Sequence, residues 1–211
     1  MRISRKYNFI YFSRPKTAST SIRDLLDTFC DVRIVTYPEL NAKNRFYSHM
    51  RPVEARATFS ELGWDFDASY RFITVRNPWA RLVSLYRMME GLKHHGAKLD
   101  FSSWIKSIDP DRPPVPASPG KWYDHGMLSF DAFVSDEAGT VLVKDAFRIE
   151  DQLPDLLEKL YEIGVPVPQR KSVPSVNVAP KVDYRAFYSD ADVALVAHLY
   201  QPEISQFGYK F

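Results

Sequence analysis

Apolar positions along the chain fall into short continuous runs and longer helical stripes, with little between them. Residues 7–13, YNFIYFS, form a nearly unbroken apolar and aromatic run ending at Arg14-Pro15, the pattern of a strand buried on both faces. From about Ser19, Ile22, Leu25, Leu26 and Phe29 recur at helical spacing and predict a helix with one core-facing stripe. Residues 32–37 read as a second strand, and Pro52 in PVEARATFSEL suits the first turn of a second helix. YRFITVR at 70–76 predicts a third strand; Asn77-Pro78 then opens a helix striped by Leu82, Leu85, Tyr86 and Met89. This alternation predicts an α/β fold of three layers with a central, mainly parallel sheet, whose ligands bind beyond the carboxyl ends of the strands. Both RPKTASTS and VRNP lie at that edge.

The middle is less regular. DFSSWIKSI predicts a short helix, whereas DPDRPPVPASPG at 109–120 holds five of the 15 prolines and must be extended or looped. Such a connection serves either as a wall over a site or as an ordered surface loop. Residues 141–149 contain a further strand, Asp151 is expected to cap the helix QLPDLLEKLYEI, and DADVALVAHLYQPEISQF reads as a final helical stretch.

A length of 211 residues suits one domain spanning 1–211, with the proline-rich segment as an insert. With 28 basic and 26 acidic residues, the net charge of +2 is too small for bulk attraction to nucleic acid, so any anion site must be local. Cys30 is the only cysteine, which excludes an intrachain disulfide and a four-cysteine zinc site and suits a reducing compartment. The apolar segment near the N-terminus is too short to span a membrane and lacks a cleavage pattern, so a cytoplasmic protein is expected.

The loop RPKTASTS carries the first chemical signal. A strand-to-helix turn presents backbone N–H groups at the positive end of a helix dipole, and Lys16, Thr17, Ser19, Thr20 and Ser21 add a point charge and hydroxyl donors. That set suits a phosphate or similar tetrahedral anion; a helix capped by Ser19 or Thr20 behind an exposed lysine is the plainer alternative. The triphosphate loop G-x-x-x-x-G-K-[ST] does not match, because both glycines are missing and no strand ends in a metal-holding aspartate. In VRNPWARLVSLY, Arg76 stands at a strand terminus and Ser84 about two turns along the next helix, so both can face one crevice. A guanidinium fork with a hydroxyl suits a phosphate monoester.

RPKTASTSIR resembles the 5′-phosphosulfate loop of the sulfotransferases that use 3′-phosphoadenosine 5′-phosphosulfate (PAPS), and VRNPWARLVSLY resembles their 3′-phosphate segment. The C-terminal part, from FRIEDQLPDLLEKL to the Phe-Gly-Tyr ending, is similar to the carbohydrate branch, the heparan and chondroitin type called sulfotransferase family 2. The likeness touches most of the chain outside the proline-rich middle. It implies a P-loop NTPase-like sulfotransferase fold, PAPS as donor, adenosine 3′,5′-bisphosphate (PAP) as product, no metal, no nucleic acid, and a carbohydrate or other hydroxyl as acceptor.

By the resemblance, Lys16 steadies charge on the leaving bisphosphate, Thr17, Ala18, Ser19, Thr20 and Ser21 cradle the 5′-phosphate, and Arg76 and Ser84 hold the 3′-phosphate. Arg14 and Arg81 either add charge or serve elsewhere. Where relatives often have Gly this chain has Ala18, whose methyl disfavours a positive φ, so a helical or extended backbone is expected there. His49, between the second strand and the second helix, is the candidate base, with a surface or capping role as its alternative. His94-His95 read as a solvated helix end, His125 as a group that touches acceptor or packs, and His198 as structural. Trp104, Trp122 and Tyr123 offer either a stacking surface for an acceptor ring or ordinary core, and Lys181 is a loose candidate for closing over the nucleotide. A nucleotide-dependent phosphotransferase and a non-catalytic nucleotide- or glycan-binding protein are the rival readings.

Overall fold

Residues 1–91, 99–111, 122–168 and 183–211 are described in the computed structural model of the protein. Its sheet has the strand order β1 (Arg2–Ser4), β2 (Phe9–Phe12), β3 (Tyr70–Val75), β4 (Asp145–Arg148), with β1 antiparallel at the edge and β2, β3 and β4 parallel. The parallel register pairs Phe12 with Ile73 and Val75 with Arg148, which sets the ends of β2 and β3 beside each other. The fold is therefore mixed α/β with a mainly parallel sheet.

Strand alternation sorts the core. On one face Phe9, Tyr11 and Phe72 pack with Ile22 and Leu26 of α1 (Ser19–Leu26) and with Leu156 and Leu160 of α6 (Leu153–Glu162). On the other, Ile10, Phe12, Ile73 and Val75 meet Ala55 and Phe59 of α2 (Pro52–Glu61) and Phe130 and Phe133 of α5 (Phe130–Val134). A further cluster joins α3 (Pro78–Gly91), α4 (Phe101–Lys106) and α7 (Asp190–Leu199) through Leu82, Tyr86, Trp104 and Val196. The last helix, α8 (Gln201–Phe207), follows α7 directly.

Several local expectations are corrected. Residues 32–37 do not form a strand; Val35 makes one isolated parallel bridge to Tyr47, because the Thr36–Glu39 capping box and Pro38 turn the chain into a 3₁₀ helix, Tyr37–Glu39. Asp151 does not cap α6: its carboxylate is paired with Arg148 at 2.6 Å, and the N-cap position is Gln152. The final helical stretch is two helices divided at Tyr200, where Pro202 can occupy only a first turn. Most of the proline-rich insert, residues 112–120, lies outside the described residues.

Candidate functional site

The chain leaves β2 through a loop held from below. The Thr17 hydroxyl donates to the Arg14 carbonyl at 3.0 Å, and the Thr74 hydroxyl of β3 donates to the Thr17 carbonyl at 2.8 Å while meeting the Tyr11 hydroxyl at 2.8 Å. Thr17 and Thr74 are wholly buried. The Thr17 hydroxyl is thus committed to the protein, and only its backbone N–H remains for a ligand. Thr74 was missed from sequence, although a hydroxyl inside the apolar run YRFITVR was the available signal.

Above this anchor the backbone bends sharply, with φ of 68° at Lys16 and 55° at Ala18. Ala18 is left-handed, which corrects the helical or extended conformation expected of it. A residue with a Cβ costs about 1–2 kcal/mol in that region, and the buried hydrogen bonds of Thr17 hold the turn against the cost. Ala18 occupies the N-cap position of α1 with no side-chain cap, and the first turn holds no acidic residue. Ser19 and Thr20 therefore do not cap the helix, and the plainer reading of RPKTASTS falls. From within α1, Arg23 folds back on the first turn, donating to the Ser19 carbonyl at 3.2 Å and the Thr20 hydroxyl at 3.4 Å.

Arg76, immediately after β3, reaches across to this loop. Its Nη1 donates to the Lys16 carbonyl at 3.3 Å, so the two motifs meet in space. Burial, then the Arg76 charge, lowers the Lys16 pKa; burial likewise lowers that of Arg76, with Glu150 offsetting part of it. Among the described residues neither cation has a carboxylate at ion-pair distance. Asn77 fixes the start of α3: its N–H donates to Glu150 at 2.8 Å, and its side-chain amide donates to the Lys210 carbonyl at 2.8 Å. Ser84, half-buried farther along α3, has no hydrogen-bond partner among the described residues.

His49 stands beside the end of β2, with Nδ1 against the Ser13 carbonyl at 2.6 Å. A carbonyl can only accept, so Nδ1 carries the proton and the lone pair sits on Nε2. Burial pushes the His49 pKa down to about 3, which keeps the ring neutral. His125 lies behind it, buried, with Nδ1 on the His49 carbonyl at 3.0 Å and its ring edge-on to Phe133. It supports the His49 backbone and has no surface for an acceptor.

Other candidates separate from the site. Arg14 is wholly buried, paired with Glu203 at 2.7 Å and donating to the Leu128 carbonyl, which corrects its assignment as a nucleotide contact. Arg81 is wholly buried against the same Glu203. Trp104 is core, packed on Tyr86 and Phe101. Tyr123 is half-buried, His198 is exposed on α7, and His94, His95 and Lys181 lie outside the described residues. Trp122 begins the 3₁₀ helix Trp122–Gly126.

The arrangement can hold a multiply charged anion at the α1 terminus, spanned by Lys16 and Arg76, with an imidazole lone pair nearby. The model of the sulfotransferase family matches residues 1–139 of the chain. No curated protein and no solved structure matches it.

Proposed function

We propose that this chain, which belongs to the sulfotransferase family, transfers a sulfuryl group from PAPS to a hydroxyl acceptor on a carbohydrate. The observation that carries the reading is the meeting of Lys16 and Arg76 at an uncapped helix start, two cations set together with no carboxylate at ion-pair distance among the described residues. Mutual repulsion and burial disfavour that pair until a dianion arrives.

In this reading the backbone N–H groups of residues 17–21, with the Ser19, Thr20 and Ser21 hydroxyls, take the 5′-phosphate. Arg76 and Ser84 take the 3′-phosphate, which distinguishes PAPS from a nucleotide lacking it. Transfer forms a bond between the acceptor oxygen and sulfur and breaks the bond from sulfur to the bridging phosphate oxygen. PAP leaves with the electron pair, and Lys16 offsets the charge that develops on that oxygen. The acceptor proton passes to His49 Nε2. A ring with so low a pKa is a weak base, which suits a proton that departs only once the new bond to sulfur has made the acceptor oxygen acidic. A carbohydrate rests on the likeness of the C-terminal part to the carbohydrate branch.

Two measurements test the reading: melting with and without PAP, and transfer of labelled sulfate from PAPS to a panel of glycans and phenols. PAP should raise the melting temperature and a glycan should become labelled. No stabilisation by PAP would refute the donor assignment; labelling of phenols alone would refute the acceptor class; and binding without transfer to any acceptor would favour a non-catalytic binding protein.

A further inference from the structure

The two phosphate elements proposed above are joined a second time, below the surface. Arg14, just before the loop, gives both terminal nitrogens to the Glu203 carboxylate, at 2.7 and 3.2 Å. Arg81, in α3 between Arg76 and Ser84, reaches the same carboxylate at 3.3 Å. The remaining contacts tie in the segment between them, since Arg14 donates to the Leu128 carbonyl and Arg81 to the Gly126 carbonyl. The Arg81 guanidinium also lies over the Tyr200 ring, 5.0 Å from its centre, and the Tyr200 hydroxyl donates to the Met127 carbonyl at 2.5 Å. All three side chains are buried, and the Nε atoms of both arginines have no hydrogen-bond partner among the described residues.

A lone carboxylate between two guanidiniums is an expensive arrangement for stability alone, because burying charge costs more than apolar packing of the same volume. Two guanidiniums share one carboxylate, and burial and then Arg14 disfavour the charged form of Arg81, with Glu203 offsetting part of this. Its geometry has another consequence. Arg14 is rigidly followed by Pro15 and Lys16, and Arg81 sits on the helix that Arg76 precedes. A carboxylate on α8, beyond the residues that the family model matches, therefore links the 5′ and 3′ elements in addition to the β2–β3 pairing and the Arg76–Lys16 contact.

We infer that Glu203 is a positioning residue of the donor site, holding the loop before α1 and the helix α3 at the separation that lets one nucleotide engage both by its two phosphates. The inference rests on the donor reading above. It makes a prediction that a purely structural ion cluster does not: losing the tie should weaken the gain from having both phosphates more than it weakens the binding of either alone.

The test compares the affinities of PAP, adenosine 5′-phosphate and adenosine 3′-phosphate by calorimetry, in the wild-type chain and in R81M/E203Q. That pair of substitutions removes the tie to α3 and conserves the net charge of the cluster. The advantage of PAP over the single phosphates should fall on the order of tenfold, with the single phosphates little changed. An unchanged advantage, or an equal loss for all three nucleotides, overturns the inference and leaves the donor reading standing. A wild-type chain with no preference for PAP removes the donor reading itself. Should the variant not fold, amide exchange of the wild-type chain decides: PAP, and neither single phosphate, should raise protection across Gln201–Phe207, which carries none of the proposed phosphate ligands. Unchanged protection there overturns the inference.

Discussion

The Arg76 guanidinium donates to the backbone carbonyl of Lys16 at 3.3 Å, joining segments far apart in the chain at adjacent strand ends. Both are cations, and each is made less comfortable by burial. Their proximity gives the site a pH signature. Lys16 loses its proton below the ordinary 10.5, whereas a bound phosphate favours the charged form. PAP affinity should therefore be flat near neutrality and fall in the alkaline range earlier than for an ordinary lysine. In Arg76→Ala one depressing charge is gone, so this alkaline fall should move to higher pH while affinity at neutrality drops on the order of 10- to 100-fold. Calorimetry from about pH 7 upward checks both; an alkaline limb that does not move with Arg76→Ala contradicts the coupling.

Thr74→Val should destabilise the protein by about 1–3 kcal/mol, since it removes the donor to the Thr17 carbonyl and the partner of the Tyr11 hydroxyl in a dry interior. Urea unfolding measures the loss. PAP affinity should fall as well, because the left-handed residues Lys16 and Ala18 flank the anchored Thr17.

Ala18→Gly should raise stability or leave it unchanged, since at an N-cap glycine is favoured over alanine. At a φ of 55° the methyl is strained, and its removal recovers up to about 1 kcal/mol, less the entropy of a freer unfolded chain. Ala18→Val should be strongly destabilising. Thermal melting of the pair is the measurement, and a Gly variant that melts well below wild type would contradict a left-handed Ala18.

His49 predicts an acid-sensitive fold. Its folded pKa of about 3 lies below the ordinary 6.5, so between those values the unfolded chain binds more protons and stability rises with pH. Acidification from neutrality should erode stability by up to about 1.4 kcal/mol per pH unit from this group, with buried His125 acting in the same direction. His49→Gln should flatten the slope of melting temperature between pH 6 and pH 4, and an unchanged slope would place the acid sensitivity elsewhere.

What could be read from the chain was local. The apolar run before Arg14-Pro15, the stripe of Ile22 and Leu26, and YRFITVR followed by Asn77-Pro78 carried their strands and helices in period and punctuation, and so exposed both anion motifs at the sheet edge. Lys16 and Arg76 were recognisable because charge at a strand end is chemically conspicuous. Residues 32–37 misled for the same reason: their composition is that of a strand, and the capping box that starts within them at Thr36 and closes at Glu39 decided otherwise. The fate of Arg14 was not written near Arg14. Whether a guanidinium faces a phosphate or a buried carboxylate depends on Glu203, which arrives only when α8 closes against α3. Nor does a sequence reveal that the Thr17 hydroxyl is spent on the Arg14 carbonyl while Thr74 holds the Thr17 carbonyl, or that the loop turns left-handed at an alanine. Periodicity and end signals act over a few residues and are legible by themselves, whereas ion pairing, desolvation and backbone strain are set by neighbours that only the folded chain brings within a few ångströms.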